Sequence, residues 1–150
     1  MGEHMHPEVS MHTFSLGTYM EHVYEGDWDA VGKMMVSSAQ KLASNGASFA
    51  ICPDNTLHQA FSYVSEHSPL PFLHIAEAVA TEARNKGFSR LGLTGTKYLM
   101  TSPVYPVVLE ALGIHCIIPE KKDREEIDTI IFKELVNGVF AEDSRTYFND

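Results

Sequence analysis

No apolar run in this sequence approaches the roughly 20 residues that a membrane-spanning helix requires, so no such helix is expected. Cysteine is scarce. Only Cys52 and Cys116 are present, far apart, which excludes a disulfide framework and makes a reducing cytoplasm the default location. Basic residues are also few, eleven against twenty acidic ones, for a net charge of −9. That balance repels phosphate backbones and anionic lipid, so neither nucleic acid nor membrane is an expected partner. The segment from Met1 to Pro7 has no basic region followed by an apolar stretch and does not read as a signal peptide. Histidine is more plentiful, with eight, and His4, His6 and His12 fall near the start. Their spacing matches no common zinc pattern, so a solvated tail is expected there and no metal.

What remains is an ordinary folding composition, 44% apolar and 21% charged. A chain of 150 residues can bury roughly 70% of its unfolded surface, enough for one compact domain or two small lobes. Short runs rich in branched and aromatic residues alternate with longer stretches of helical period. Strands are predicted at Val9 to Phe14, Ala47 to Cys52, Phe72 to His74, Arg90 to Thr94 and His115 to Ile118. Helices are predicted at Trp28 to Ser44, Leu57 to Glu66, Ala76 to Lys86, Tyr105 to Leu112 and Arg124 to Val136. Asp27 and Asp29 suit a helix N-terminus, and Gly46, Gly87, Gly113 and Gly138 fall where a left-handed cap would end a helix. Met34, Met35 and Leu42 form an apolar stripe, and Lys121 to Glu126 reads as a mixed-charge loop entering a helix. Strands separated by amphipathic helices imply an α/β protein, with parallel sheets flanked by helices and ligands at the carboxyl ends of strands.

Two such strand ends carry polar residues. The first runs from Ala47 to Cys52 into Pro53-Asp54-Asn55-Thr56-Leu57-His58, where Asn55 and Thr56 could cradle a carboxylate with side-chain donors and backbone N–H groups. The second, Leu91 to Thr94, runs into Gly95-Thr96-Lys97, where small and hydroxyl residues again precede a helix. Two similar strand ends suggest two lobes, 1–80 and 81–150, whose tips open toward a common pocket.

With these motifs the chain resembles the aspartate/glutamate racemase family. That family carries Cys-Asn-Thr-x-His, a Pro-Leu-Leu-His-Ile-like strand and Gly-Leu-Leu-Gly-Thr. Here the same order gives Asp54-Asn55-Thr56-Leu57-His58, Pro71-Phe72-Leu73-His74-Ile75 and Gly92-Leu93-Thr94-Gly95-Thr96. Further matches at Tyr105, Gly113-Ile114, Pro119, Ile130-Ile131-Phe132, Glu134-Leu135 and Gly138 extend the likeness from about Val9 to Tyr147. The resemblance implies two pseudo-symmetric lobes, incomplete here at both termini, and a racemase-like isomerase acting at the α-carbon of a small amino acid or dicarboxylic acid. No cofactor is implied: family members use two cysteines on opposite faces of the substrate, one as thiolate and one as thiol. Asn55, Thr56 and Thr96 are the implied carboxylate contacts. Unpaired edges at the missing end strands imply a homodimer.

Two positions depart from the family pattern. Asp54 stands where the first cysteine is expected, and a carboxylate of ordinary pKa near 3.9 is a weaker base than a thiolate near 8.5. The second cysteine's Gly-Cys-Thr-Glu segment has no match in the sequence, and neither Cys52 nor Cys116 stands at a catalytic position. Three readings follow: a racemase using Asp54 as base, a one-base relative such as a decarboxylase, or a catalytically impaired or vestigial carboxylate-binding protein. Asp54 would also serve as a helix cap, a role compatible with the first. Cys52, two residues earlier on the same strand face at about 6.6 Å, is expected to pack in the core, as is Cys116. His58, one turn on, is a candidate second-layer partner for the Asp54 carboxylate, and His74 for a backbone group. Lys97, Lys133 and Arg145 are candidate partners of a substrate carboxylate.

Overall fold

The computed structural model describes residue 3 and residues 5–149, so that His4 lies outside the described residues. Two compact units divide the chain, Met1–Ile75 and Ala76–Asp150.

The first unit holds helices α1 (Leu16–Glu25) and α2 (Trp28–Ser44), strand β1 (Ala50–Ile51), a 3-10 turn (Thr56–Ala60), helix α3 (Phe61–His67) and strand β2 (Phe72–Leu73). Helix α2 has the predicted bounds because both ends are written locally. Asp27 Oδ1 accepts from Ala30 N–H at 2.9 Å, satisfying an otherwise unpaired first-turn donor. The buried stripe of α2 is Val31, Met35, Val36 and Ala39, with Met34 and Leu42 only half-buried at its margin. Val31 and Val64 are fully buried, each worth about 1.5–3 kcal/mol of apolar transfer. Gly32, on the same helix, lets the Tyr63 ring of α3 come so close that a Cβ at position 32 would lie 2.7 Å from Tyr63 Cδ1.

Strands β1 and β2 pair in parallel, Ala50 with Phe72 and Ile51 with Leu73. They are shorter than predicted because the ladder runs out where side chains emerge into solvent: Ile51 is 63% and Leu73 54% exposed. The predicted strand at Val9 to Phe14 is absent. His12 in that segment instead bonds to α2, its ring nitrogens lying 3.0 Å from Ser38 Oγ and 2.8 Å from Lys41 Nζ. The lysine ammonium can only donate, so Nε2 accepts and Nδ1–H donates to Ser38. The expected solvated tail is therefore corrected at His12, which is half-buried.

The second unit contains nearly all of α4 (Ile75–Asn85), then β3 (Arg90–Gly92), α5 (Lys97–Met100), α6 (Pro106–Ala111), β4 (His115–Ile117), α7 (Lys121–Lys133), a second 3-10 turn (Leu135–Asn137) and α8 (Glu142–Tyr147). Strands β3 and β4 pair in parallel over three residues, Arg90 with His115 to Gly92 with Ile117. Ala76, Ala80 and Ala83 present a flat face on α4 that packs with Leu99, Leu109 and Ile114, with Leu91 and Cys116 against the cluster. The four glycines predicted as caps all take positive φ, +87° at Gly46, +76° at Gly87 and +72° at Gly113 and Gly138. At Gly113 this turns the chain so that Ile114 N–H reaches Leu109 C=O at 2.9 Å, and Ile114 enters the core just before β4.

Corrections concern boundaries as well. Helix α7 begins at Lys121, so the charged run expected as a loop is already its first turns, where Arg124 Nη1 donates to Pro119 C=O at 2.8 Å. Helices α1 and α8 were not predicted as helices, and α5 was foreseen only as a helix beginning after Gly95-Thr96, without bounds. The α/β class with parallel strand pairs flanked by helices stands. No helix among the described residues is long and apolar enough to cross a membrane.

Candidate functional site

The carboxyl end of β1 turns at Pro53 into the 3-10 helix, and Asp54 builds that turn. Its Oδ1 accepts from Thr56 N–H at 2.8 Å and from Leu57 N–H at 3.3 Å. The aspartate cap expected from the sequence is therefore present. One expectation changes with it: the Thr56 amide, foreseen as part of a cradle for an incoming carboxylate, already holds the protein's own carboxylate. Asp54 itself is exposed, and Asn55 and Thr56 are half-buried beside it. Because Oδ1 is engaged by two amides, any proton transfer at this residue falls to Oδ2.

His58 is 3% exposed and lies beneath the turn. Its expected partner was the Asp54 carboxylate; the structure corrects this to the Asp54 backbone carbonyl, 2.9 Å from Nδ1. Nε2 accepts from Ile75 N–H, the first amide of α4, at 3.2 Å. An amide N–H only donates, so Nε2 carries the lone pair and Nδ1 the proton. Phe61 stacks on the ring at 5.8 Å between centroids, and His74 meets it edge-on at 5.0 Å. Burial pushes the His58 pKa below its ordinary value, opposed by the Asp54 carbonyl and charge and by the Leu73 main chain.

Cys52 does not reach the core: it is half-buried, and its Sγ–H points to Asp54 C=O at 3.6 Å. Burial and the Asp54 charge raise its pKa, only partly offset by a main-chain hydrogen bond at Asp54, so the thiolate is disfavoured. Cys116 is also half-buried, against the core rather than within it. Tyr19, on the unpredicted α1, lies within electrostatic reach of Cys52 and Asp54, and its pKa is raised chiefly by burial.

The second polar strand end is built differently. Thr96 caps α5, its Oγ1 accepting from Leu99 N–H at 3.2 Å. Asp128, 8% exposed on α7, accepts from Lys97 N–H through Oδ1 at 2.8 Å and pairs with Lys97 Nζ through Oδ2 at 3.3 Å. Lys97, a predicted substrate partner, is thus committed to Asp128, whose charge is the main cause of its raised pKa. Asp128 escaped sequence reasoning because 31 residues separate the pair. Arg145 lies 3.5 Å from Glu142.

A groove of about 490 Å³ lies between Pro7–Ser10 and the Ala47–Ile51 segment, and no predicted site residue lines it. Among the described residues, no group of three or more His, Cys, Asp or Glu side chains could hold a metal ion.

Parallel strand pairs flanked by helices, whose carboxyl ends run into capped turns, one of them reading Asp-Asn-Thr-x-His, define an α/β protein of racemase-like fold. The chain belongs to the Asp/Glu/Hydantoin racemase family, whose model matches residues 2–150. It is 30% identical over 87 residues to the broad specificity amino-acid racemase RacX of Bacillus subtilis (strain 168), a match spanning 58% of this chain and 38% of that protein. Its fold is similar to the crystal structure of a Yersinia pestis protein assigned as an Asp/Glu racemase, with a TM-score of 0.84 and 30% identity, over 99% of this chain and 65% of that one. An aspartate racemase homologue from Pyrococcus horikoshii OT3 is similar at a TM-score of 0.76 and 28% identity, over 93% of this chain and 61% of that one. The chain thus spans less than two thirds of each relative.

Proposed function

We propose that this protein is a racemase-like isomerase that removes and returns the α-proton of a small amino acid or dicarboxylic acid without a cofactor. The observation that carries this is the exposed Asp54 at the carboxyl end of β1, held by two amides through one oxygen and presenting the other for chemistry. Asp54 Oδ2 takes the α-proton, while Asn55 and Thr56 hold the substrate carboxylate. Cys52 takes no part as a base, because its surroundings oppose the thiolate.

Deuterium exchange tests this reading directly. Aspartate or glutamate incubated with the protein in heavy water gains deuterium at the α-carbon, and Asp54→Asn slows the gain on the order of a hundredfold or more. Exchange requires only one face, so it reads Asp54 whether or not a second acid acts. An unlabelled substrate after long incubation overturns the assignment.

A second reading is favoured by the Asp54 cap itself: a carboxylate-binding protein without turnover, in which Asp54 serves the turn alone. Calorimetric binding of dicarboxylates with no deuterium gain supports it. Undetectable binding removes both readings.

A further inference from the structure

We infer that His58 is the positioning residue of the Asp54 turn: its neutral ring joins the Asp54 carbonyl to the first amide of α4, and protonation of the ring releases that join. The inference rests on the reading that the Asp54 turn is the substrate site, and it adds a regulation of that site by pH.

The geometry favours one state of the ring, with the Leu73 main chain as a further acceptor for a second ring proton. Nδ1–H donates to Asp54 C=O at 2.9 Å and Nε2 accepts from Ile75 N–H at 3.2 Å. A second proton would place an N–H donor against the Ile75 N–H donor. The bond is then lost, and the first amide of α4, which has no partner within its own helix, loses its acceptor. The opposite tautomer loses both the Asp54 carbonyl and the Ile75 amide as partners. A ring 3% exposed cannot turn to water without opening its surroundings, where Phe61 stacks at 5.8 Å and His74 stands at 5.0 Å.

The titratable groups facing the ring are Asp54 on its own turn and His74 at the end of β2. Helix α2 packs against the turn and carries Asp29, Lys33 and Lys41, while α3 carries Glu66 and His67; none of these contributes to the shift at His58. Burial outweighs the favourable Asp54 contacts and lowers the folded pKa. The sign follows. With the folded value below the unfolded one, the stabilisation is complete above the ordinary histidine value of about 6.5 and is lost as pH falls through the folded value.

The test uses the full chain and no substrate. Nitrogen-15 ring spectra at pH 7.5 are expected to show Nδ1 protonated and Nε2 bare, with a titration midpoint below about 6.5. Amide exchange, corrected for intrinsic rates, is expected to accelerate at Ile75 as pH falls through that midpoint, while Thr56 and Leu57 are unchanged because the Nδ1–H donor to Asp54 C=O is kept. The expected gain is on the order of three- to tenfold, the equivalent of one neutral hydrogen bond. Two half-replacements separate positioning from bulk packing. His58→Asn retains the donor to Asp54 and exposes only Ile75, whereas His58→Gln retains the acceptor for Ile75 and loosens only Thr56 and Leu57; both abolish the pH step. An Nε2–H tautomer, a midpoint above the ordinary value, or uniform loss of protection through α2 in both variants overturns the inference. Should either variant fail to fold, the wild-type ring spectra and exchange profile decide alone. Loss of the racemase reading leaves these results untouched, and the join can fail while deuterium exchange persists, so the two failures are told apart.

Discussion

The two polar strand ends look alike in sequence and are stabilised by different means. Asp54 braces its own turn through amides two and three residues away, a bond that needs no other part of the fold. The Thr96 turn has a local cap as well, but its next amide is held by Asp128 from 31 residues downstream. The first turn can form as soon as the chain turns at Pro53; the second is complete only when α7 has packed. Local order and tertiary order thus support equivalent positions of one chain.

Substitution at Asp128 gives the largest break in that comparison. Asp128→Ala is expected to destabilise the second unit by about 2 kcal/mol, the scale of a lost hydrogen bond to a charged group, read by urea denaturation and by exchange at Lys97 to Met100. Asp54→Ala is expected to lower stability by about 1 kcal/mol, the usual cost of a lost cap, with faster exchange confined to Thr56 and Leu57. If Asp54→Ala proved the more damaging, the local-versus-tertiary contrast would be reversed. Lys97→Met should change stability by less than about 1 kcal/mol, because its ammonium is half-exposed and such pairs are weak. Asp54→Asn should be smaller still in stability, since an amide oxygen can replace Oδ1, which makes it the cleaner variant for deuterium exchange. Weak association, visible by light scattering as mass rising with concentration, is expected from the exposed Phe49, Ile51 and Leu73 around the β1–β2 pair.

What could be read from the sequence follows the same division. Helix α2 was legible to the residue, because its cap and periodicity are local; the four glycine caps were legible too, and four of the five predicted strands are present in shortened form. The Asp54 turn was legible too, including its use as a cap. Helix α1 was not. It contains Gly17 and Thr18 near its start and no side-chain bond from Ser15, so nothing local announces its beginning, although the left-handed Gly26 marks its end. The segment Val9 to Phe14 has the alternation of a strand, but a strand needs a partner, and His12 found Ser38 and Lys41 instead. The stripe on α2 shifted by a residue or so because its burial is set by where α3 packs. His58 was placed near the correct group, yet the atom it grips is main chain rather than carboxylate, a distinction that only coordinates supply.

Gly32 carries a consequence for how this sequence can vary. Where the α2 backbone meets the face of Tyr63, a single methyl at position 32 already overlaps the ring. The two positions are therefore expected to drift together: a lineage that acquires alanine or serine at 32 must give up the aromatic at 63 in the same step or spread the two helices. A survey of relatives should find the small residue and the large one inherited as a pair.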